Sequence, residues 1–434
     1  MRTTVTDAAP PAPCGCPDFT RSERLLSRRG LLGGLGAAAA TVALSSSAEA
    51  ATSVTFADPG YTGDTLIVLS FRGGFDGLSA VVPVTEQAYY DLRPQIAVPQ
   101  SVTAALDGRF GLHPALAPLL PFYTAGSLAF VHALGLPNPT RSHFTDMAEL
   151  ERAAPGSSLR TGWLDRMVGS TTTPGTFAAT AVGSASAPPS FAGPTPELAL
   201  RSVDDFTLWG TWNQTEYDRW TTALRAVHAG APQHLAGAAS TTLGALATTS
   251  ELESAGYTPA NGASYPSGDL GRSLRDVARL LKKGVGLRAV TVDTGNWDMH
   301  SGLGRSDSGW MYRQLTEVAT ALAAFMTDLG PAADRVTLVT LSEFGRRVAQ
   351  NGSGGVDHGH GNVSMVLGGG VLGGKVYGAW PGLGPRDLVA GDLAATTDYR
   401  SLLGEILEKR CGVTASTVLP GLPSARLGIV RARS

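Results

Sequence analysis

Five short apolar segments, rich in β-branched residues, constrain the fold of this chain more than any other feature. Each is five to seven residues long, the length of a buried strand, and they occupy residues 65–71, 128–132, 287–292, 335–341 and 363–367. Residues 272–283 and 312–329, which lie between them, carry apolar side chains at helical spacing. Strands that alternate with helices indicate an α/β fold with a mainly parallel central sheet.

The segment 153–263 differs from the rest of the chain. It is rich in Ala, Ser, Thr, Gly and Pro, and its strand patterns are weak. We therefore expect a cap-like insertion within a single domain that covers residues 51–434. The net charge is −2 and no basic run occurs beyond the N-terminus, so we do not expect nucleic acid as a partner.

The N-terminus has the pattern of a targeting signal. Arg28 and Arg29 precede an apolar run at 31–44, and residues 48–50 offer an A-x-A cleavage site. We predict a twin-arginine signal peptide at residues 1–50, recognised by the twin-arginine export machinery, and a periplasmic, cell-wall or extracellular location. The apolar run is short and rich in Gly and Ala, so it does not predict a stable membrane span.

Polar motifs adjoin all five predicted strands. Four of them follow a strand and the fifth comes directly before one, and they are RGGFDGLS at 72–79, TRSHF at 140–144, DTGNWDMHSG at 293–302, SEFGRR at 342–347 and DHGHG at 357–361. In an open α/β sheet, ligands bind beyond the carboxyl ends of the strands. We therefore expect these motifs to gather at one edge of the sheet and form a site.

The residue types in these motifs suit a divalent metal, because carboxylate oxygens and imidazole nitrogens are common metal ligands. The candidate ligands are Asp76, His143, Asp293, Asp298, His300, Glu343, Asp357, His358 and His360. Several alternatives stay open at this point. DHGHG can be a plain polar loop, Asp293 or Asp298 can cap a loop, and Glu343 can form a salt bridge with Arg346 or Arg347. His132, inside an apolar strand, is expected to be a core residue.

Ser142 stands where a helix is expected to begin. A hydroxyl at a helix N-terminus lies beside free backbone N–H groups and the positive end of the helix dipole. That position suits a nucleophile that attacks an anionic phosphoryl or sulfuryl centre. The simpler alternative is an ordinary N-cap serine.

The motifs RGGFDGL, TRSHF, NWDMHSG, SEFGRR and DHGHG resemble the bacterial domain-of-unknown-function family 1501. More distantly they are similar to the alkaline phosphatase superfamily, which includes sulfatases and phosphodiesterases. The superfamily resemblance implies an alkaline-phosphatase-like α/β/α sandwich with a mostly parallel sheet and a two-metal site at its carboxyl edge.

The resemblance also implies roles for individual residues. Ser142 takes the place of the nucleophile, and His358 or His360 resembles the last histidine ligand. Asp298 and His300 look like an Asp/His ligand segment, and Asp76 resembles the first-strand carboxylate although it comes several residues late. In the motif that resembles Ser-Asp-His-Gly, Glu343 replaces Asp and Phe344 replaces His, which removes one expected ligand.

These observations favour an exported hydrolase of phosphate or sulfate esters, acting on a small or polymeric anionic substrate. It would use Ser142 beside one or two divalent ions (Zn, Mn or Ca), with Arg72 or Arg141 neutralising the transferred group. The alternative, motivated by Phe344 and by the late Asp76, is a non-catalytic metal-binding or partner protein that keeps the fold. A weaker possibility is a Ser-His hydrolase that uses His143 or His358.

Overall fold

The computed structural model describes residues 63–170 and 174–433. In that part of the chain, the strands are β1 Thr65–Phe71, β2 Val81–Pro83, β3 Ala104–Ala105, β4 Phe110–Leu112, β5 Leu128–Gly135, β6 Ala179–Val182, β7 Leu198–Leu200, β8 Ala289–Thr294, β9 Val336–Leu341, β10 Asn362–Gly368, β11 Val376–Tyr377, β12 Leu388–Val389, β13 Asp392–Leu393 and β14 Thr397–Asp398. The α-helices are α1 Gly77–Ala80, α2 Gln87–Leu92, α3 Leu120–Thr124, α4 His143–Arg152, α5 Trp163–Gly169, α6 Gln214–Ala229, α7 Gln233–Ala255, α8 Asp269–Lys283, α9 Trp310–Leu329, α10 Tyr399–Lys409 and α11 Ala415–Val418. Short 3-10 turns occupy Gln100–Val102, Pro114–Leu119, Pro189–Phe191 and Gly330–Arg335.

The largest sheet has the strand order β11-β5-β10-β9-β1-β8-β6-β7, and β14 also pairs with β5. The pairs of β1 with β8 and β9, of β6 with β7 and β8, and of β5 with β11 and β14 are parallel. Strand β10 runs antiparallel to both of its neighbours, β5 and β9. The predicted α/β fold with a mostly parallel central sheet is therefore confirmed.

Alternate residues of β1 enter two separate hydrophobic cores, one on each face of the sheet. Ile67, Leu69 and Phe71 pack with residues of α8 and α9. Leu66 and Val68 pack with residues of α5 and α10. Side chains point to opposite faces along a strand, so a strand buried on both faces reads as a continuous apolar run. Helices on both faces give the predicted three-layer α/β/α arrangement.

The segment 153–263 contributes to the sheet as well as to its surroundings. It contains β6, which pairs with β8, and β7, which pairs with β6 at the edge of the sheet. It also contains the helices α5, α6 and α7. The strands β6 and β7 have only four and three residues and are composed of Ala, Thr, Val and Leu, which explains their weak sequence pattern.

The predicted signal peptide at residues 1–50 lies outside the described residues. Among the helices that are described, none combines the length and the hydropathy needed to cross a bilayer. Cys411 is a buried free thiol.

Candidate functional site

The polar motifs gather at one edge of the large sheet. Strands β1 and β8 end side by side, with Phe71 opposite Thr294, and Leu341 at the end of β9 is level with Ser70. Because β10 runs the other way, its beginning lies at the edge where these strands end. The DHGHG motif that precedes β10 is thereby brought to the carboxyl edge, as the sequence predicted.

The loops after β1 and β8 approach each other very closely. Gly73 has a φ of +115°, and a Cβ atom at this position would lie 2.8 Å from the backbone nitrogen of Asp298. Neither the backbone conformation nor the space admits a side chain. The Gly73 amide donates a 2.8 Å hydrogen bond to Oε1 of Glu343, which follows β9. The glycine therefore joins three strand ends.

Three imidazole Nε2 atoms and one carboxylate oxygen form the centre of the site. Nε2 of His358 lies 3.1 Å from Nε2 of His143, 3.0 Å from Nε2 of His300 and 3.2 Å from Oδ1 of Asp298. The same Oδ1 atom lies 3.5 Å from Nε2 of His143 and 3.0 Å from Nε2 of His300. Ligands of a tetrahedral ion at about 2.1 Å would be about 3.4 Å apart, so this spacing fits a metal ion.

Each of these imidazoles has an acceptor at its other ring nitrogen. Nδ1 of His143 lies 2.7 Å from Oε1 of Glu343, and Nδ1 of His300 lies 3.0 Å from Oδ1 of Asp357. Nδ1 of His358 lies 2.9 Å from the carbonyl oxygen of Arg141, which can only accept a hydrogen bond. This pattern is typical of metal-binding histidines, because a proton held at Nδ1 leaves a lone pair at Nε2.

Backbone hydrogen bonds fix the DHGHG loop against the SEFGRR segment. The Arg347 amide donates to the Asp357 carbonyl at 2.9 Å, and the Gly359 amide donates to the Gly345 carbonyl at 2.8 Å. A Cβ atom at Gly359 would lie 2.4 Å from the backbone of Arg346. The loop therefore holds His358 in place by close backbone packing.

Charge at the centre is balanced by Arg346, whose side chain is completely buried. Its Nη2 atom donates a 2.7 Å hydrogen bond to Oδ1 of Asp298. Burial opposes ionisation of Asp298, but hydrogen bonds from His143, His358 and Arg346 prevail and lower the pKa of this carboxyl group. Asp298 is therefore an anion whose oxygen faces the imidazoles.

His143 occupies the first turn of α4, between two carboxylates. Burial by itself would lower the pKa of His143, but hydrogen bonds and charge interactions with Asp298 and Glu343 raise that pKa to about 9. Burial likewise opposes ionisation of Glu343, yet the pKa of Glu343 is lowered because His143 and the Gly73 amide donate to it. In the ion-free protein these partners stabilise a positive charge on His143, in the position where a metal ion would be held.

Phe344 forms an apolar wall beside the imidazoles. Its ring centroid lies 4.8 Å from the ring centroids of both His143 and His358. The ligand that the resemblance led us to expect at this position is absent, and Nε2 of His143 reaches the centre instead. The wall limits the rotation of both imidazoles and keeps water from their faces.

Two of the candidate ligands lie in other contacts. Asp76 forms a buried ion pair with Arg93 at 2.6 Å, so its oxygens do not face the imidazoles. Nε2 of His360 lies 2.9 Å from the carbonyl oxygen of Leu136, which occupies that nitrogen. We therefore do not include Asp76 and His360 among the proposed ligands.

The three remaining acidic candidates, Asp293, Glu343 and Asp357, bond to side chains around the centre. Asp293 forms a 2.6 Å ion pair with Arg72, which also pairs with Glu151 at 2.7 Å. Glu343 and Asp357 contact His143 and His300 through Nδ1 and stand one layer behind the centre. Glu343 thus bonds to a histidine, whereas the sequence left open a salt bridge with Arg346 or Arg347.

The residues proposed for catalysis border the same edge. Ser142 is the N-cap of α4, and its Oγ atom accepts a hydrogen bond from the Thr145 amide at 3.5 Å. Arg141 pairs with the buried carboxylate of Asp392, and its φ of +62° is unusual for a residue with a side chain. This backbone conformation aims the Arg141 carbonyl at His358.

Two contacts of the candidate site were not found from the sequence. Arg346 was considered only as a partner of Glu343, whereas it pairs with Asp298. Asn351 donates from Nδ2 to Oδ1 of Asp357 at 3.0 Å and to the carbonyl oxygen of His300 at 2.8 Å. An asparagine in a Gly-rich loop has no sequence signal that distinguishes this role from that of a turn residue.

Comparisons with known proteins address the family. The profile described as "Protein of unknown function (DUF1501)" matches residues 123–419. The chain belongs to this family. The family resemblance found in the motifs is thus confirmed. A search of curated proteins found no match to this chain.

Among solved structures, the chain is similar to the integral membrane protein lipooligosaccharide phosphoethanolamine transferase A (EptA) from Neisseria meningitidis. Identity is 12%, the TM-score is 0.27, and the alignment covers 82% of this chain and 59% of the transferase. The chain thus matches less than two thirds of the transferase. A TM-score this low carries no argument about function.

Proposed function

We propose that this DUF1501 protein is an exported hydrolase of phosphate or sulfate esters that depends on a divalent metal ion such as Zn²⁺, Mn²⁺ or Ca²⁺. The proposed ligands are His143, Asp298 and His358, whose ligand atoms all lie within 4.8 Å of one another. His300 is the proposed fourth ligand, since its Nε2 atom is 3.0 Å from both Asp298 and His358.

The observation that carries the proposal is the convergence of three imidazoles on the Asp298 carboxylate. Acceptors hold the Nδ1 atoms of all three histidines, and each Nε2 atom lies 3.0 to 3.5 Å from Oδ1 of Asp298. A divalent ion bound here would take the place of the protons that the Nε2 atoms otherwise share with one another and with Asp298. Imidazoles that hold an acceptor at Nδ1 and turn Nε2 towards a shared carboxylate have the arrangement typical of metal-binding histidines.

The chemistry would be divided between the ion and the chain. A bound divalent ion supplies positive charge that polarises an ester oxygen and lowers the pKa of an attacking hydroxyl group. Glu343 and Asp357 hold the imidazoles at fixed angles, and Phe344 excludes water on one side. Fixed groups of this kind stabilise a transition state because they need no reorganisation during the reaction.

Ser142 is proposed as the nucleophile because it directly precedes His143 at the start of α4. The same position makes Ser142 an N-cap, and the two roles are separable by substitution. Asn is as good an N-cap as Ser, whereas Ala is a poor one. We expect Ser142→Asn to keep the stability of the wild type but to lose turnover, and Ser142→Ala to lose both. Full turnover in either variant would remove Ser142 from the mechanism.

Arg72 and Arg141 are the groups proposed to neutralise an anionic substrate. Their side chains are 32% and 36% exposed, so both reach solvent at this edge. Each already pairs with a carboxylate, Asp293 or Glu151 for Arg72 and Asp392 for Arg141. An arriving phosphate or sulfate would therefore share the guanidinium with that carboxylate, which leaves only modest affinity for the free anion.

The decisive experiment measures metal content and hydrolysis on one preparation of the full chain expressed with its leader. The purified protein is loaded separately with Zn²⁺, Mn²⁺ and Ca²⁺ and assayed on p-nitrophenyl phosphate, bis(p-nitrophenyl) phosphate and p-nitrophenyl sulfate. We expect turnover with at least one ion and none after chelation. Turnover that survives chelation would contradict the proposal and favour a Ser-His hydrolase.

A matched pair of variants in one loop locates the ion. His358 faces the centre, whereas His360, two residues later, contacts the Leu136 carbonyl. We expect His358→Gln to lose bound metal and hydrolysis together, and His360→Gln to retain the metal. Equal metal content in the two variants would show that the ion binds elsewhere.

A second function has an observation of its own. Four side-chain ligands make a closed set, and closed tetrahedral sites in proteins are usually structural, whereas catalytic sites leave one position open. If His300 stays bound, the protein would hold metal without hydrolysing esters. His300→Ala opens that position, so hydrolysis gained only in this variant would support the non-catalytic role in the wild type.

A further inference from the structure

We propose that this centre holds a single divalent ion, because Arg346 supplies the positive charge that a second ion would provide. The inference rests on the metal site of the proposed function. It concerns the number of ions rather than the reaction. It depends on two observations: the fixed position of the guanidinium and the engagement of the surrounding carboxylates.

The guanidinium of Arg346 is held by five hydrogen bonds. It donates to the carbonyl oxygens of Gly74 at 2.5 Å, Val356 at 3.1 Å and Trp297 at 3.1 Å, and also to that of Gly73. Its remaining contact is Asp298. Two of these carbonyl oxygens accept from the Nη2 atom that also donates to Asp298, and the other two accept from Nε and Nη1, so all three guanidinium nitrogens are held in the site.

Arg346 and the imidazoles share one carboxylate oxygen. Oδ1 of Asp298 accepts from Nη2 of Arg346 at 2.7 Å and also faces His143, His300 and His358. In two-metal sites, ions about 3.5–4 Å apart are commonly joined through shared oxygen ligands. Here the carboxylate is shared between the imidazole centre and a guanidinium. A second ion beside Asp298 would have to displace or approach a buried positive charge.

The neighbouring carboxylates of Glu343 and Asp357 already accept hydrogen bonds from protein groups. Glu343 accepts from His143 and Gly73 at Oε1 and from Ser342 at Oε2. Oδ1 of Asp357 accepts from Asn351 and lies against His300. A second ion with hard oxygen preferences would need several of these oxygens, and each would have to give up a hydrogen bond.

Native mass spectrometry of the folded full chain, titrated with Zn²⁺ and separately with Mn²⁺, counts the ions directly. We expect saturation at one ion per chain, and His358→Gln should bind none. Two ions per chain, both lost in His358→Gln, would overturn the inference and leave metal-dependent hydrolysis standing. One ion per chain without hydrolysis would support the single-ion inference and contradict the proposed hydrolase. A chain that binds no ion would overturn both.

Two substitutions test the part played by Arg346. Arg346→Lys keeps the positive charge, and we expect it still to saturate at one ion. Arg346→Met removes the charge at similar length, and we expect it to accept more than one ion at millimolar metal. Circular dichroism checks that each variant is folded. Saturation at one ion in folded Arg346→Met, or at two in Arg346→Lys, would contradict the role of the charge.

Discussion

Two regions of the protein combine a carboxylate, a guanidinium and histidine, and they differ in how completely their hydrogen bonds are used. In the Asp76 cluster, formed by Asp76, Ser79 and Arg93, both Asp76 oxygens accept from Arg93, and Oδ2 also accepts from Ser79. His132 lies near enough for its charge to interact with Asp76, but its ring nitrogens bond to backbone groups. In the site around Asp298, Arg346 donates a single hydrogen bond to the carboxylate, at Oδ1. The same Oδ1 atom faces three imidazoles. The first network is closed by protein groups, and the second gathers carboxylate and imidazole atoms of the types that bind a cation.

The histidines of the two regions show the same contrast. Nε2 of His132 lies 3.0 Å from the Val81 carbonyl, and its Nδ1 accepts from the Ala133 amide at 3.0 Å. Both nitrogens are satisfied, and burial lowers the pKa of His132 to about 4. Acidic partners instead raise the pKa of His143 to about 9. Imidazoles that contact carboxylates thus distinguish the site from a polar core in which backbone groups enclose the ring.

The largest expected effect comes from opening the closed network. Asp76→Ala leaves the guanidinium of Arg93 buried without its counter-ion, because the Arg93 side chain is completely buried. Removing one partner of a buried ion pair typically costs about 3–5 kcal/mol. We expect a loss of that size in urea unfolding, with metal content per folded chain unchanged.

An exposed ion pair provides the control for this variant. The side chains of Arg72 and Asp293 are 32% and 35% exposed, and exposed pairs contribute about 0–1 kcal/mol. Asp293→Ala should therefore change stability much less than Asp76→Ala. If Asp76→Ala lost metal while its stability hardly changed, Asp76 would belong to the site and the contrast between the regions would fail.

The sequence predicted the sheet and the edge where the site lies for a clear physical reason. Apolar β-branched runs must be buried, and polar groups at their ends must lie where the strands stop. It could not separate Asp76 from Asp298, because the difference is made by the distant partners Arg93 and Arg346. Nor could it separate His358 from His360, since which of them faces the centre depends on loop packing.

The next largest expected effect is a pH dependence of the unfolding free energy that arises from a core histidine, His132. The pKa of His132 is about 4 in the folded chain, below the ordinary value of 6.5 for an exposed imidazole. Between these values the unfolded chain binds a proton that the folded chain cannot. The stability is therefore complete above about pH 6.5 and falls as the pH drops towards 4, by about 3 kcal/mol for this shift.

Urea unfolding at pH 7.5 and pH 4.5 measures this loss. His113 has a similarly lowered pKa of about 4, so it contributes to the same slope and remains in the variant. His132→Leu should flatten the difference between the two pH values relative to the wild type. An unchanged slope would mean that His132 is not held neutral, and the contrast between His132 and His143 would fail.

The smallest effects compare the two carboxylates that hold imidazoles in the site. Glu343 is 2% exposed and Asp357 is 51% exposed, and both accept at Nδ1 of a histidine. Removing such a partner typically costs about 10–100-fold in metal affinity. We expect the loss of metal affinity in Glu343→Gln to be near the upper end of this range, because no water can replace the buried carboxylate. Asp357→Asn should be near the lower end, because solvent reaches His300. Chelator competition measures the metal affinity of both variants. A larger loss in Asp357→Asn would mean that the exposed Asp357–His300 pair, rather than the buried Glu343–His143 pair, determines the affinity.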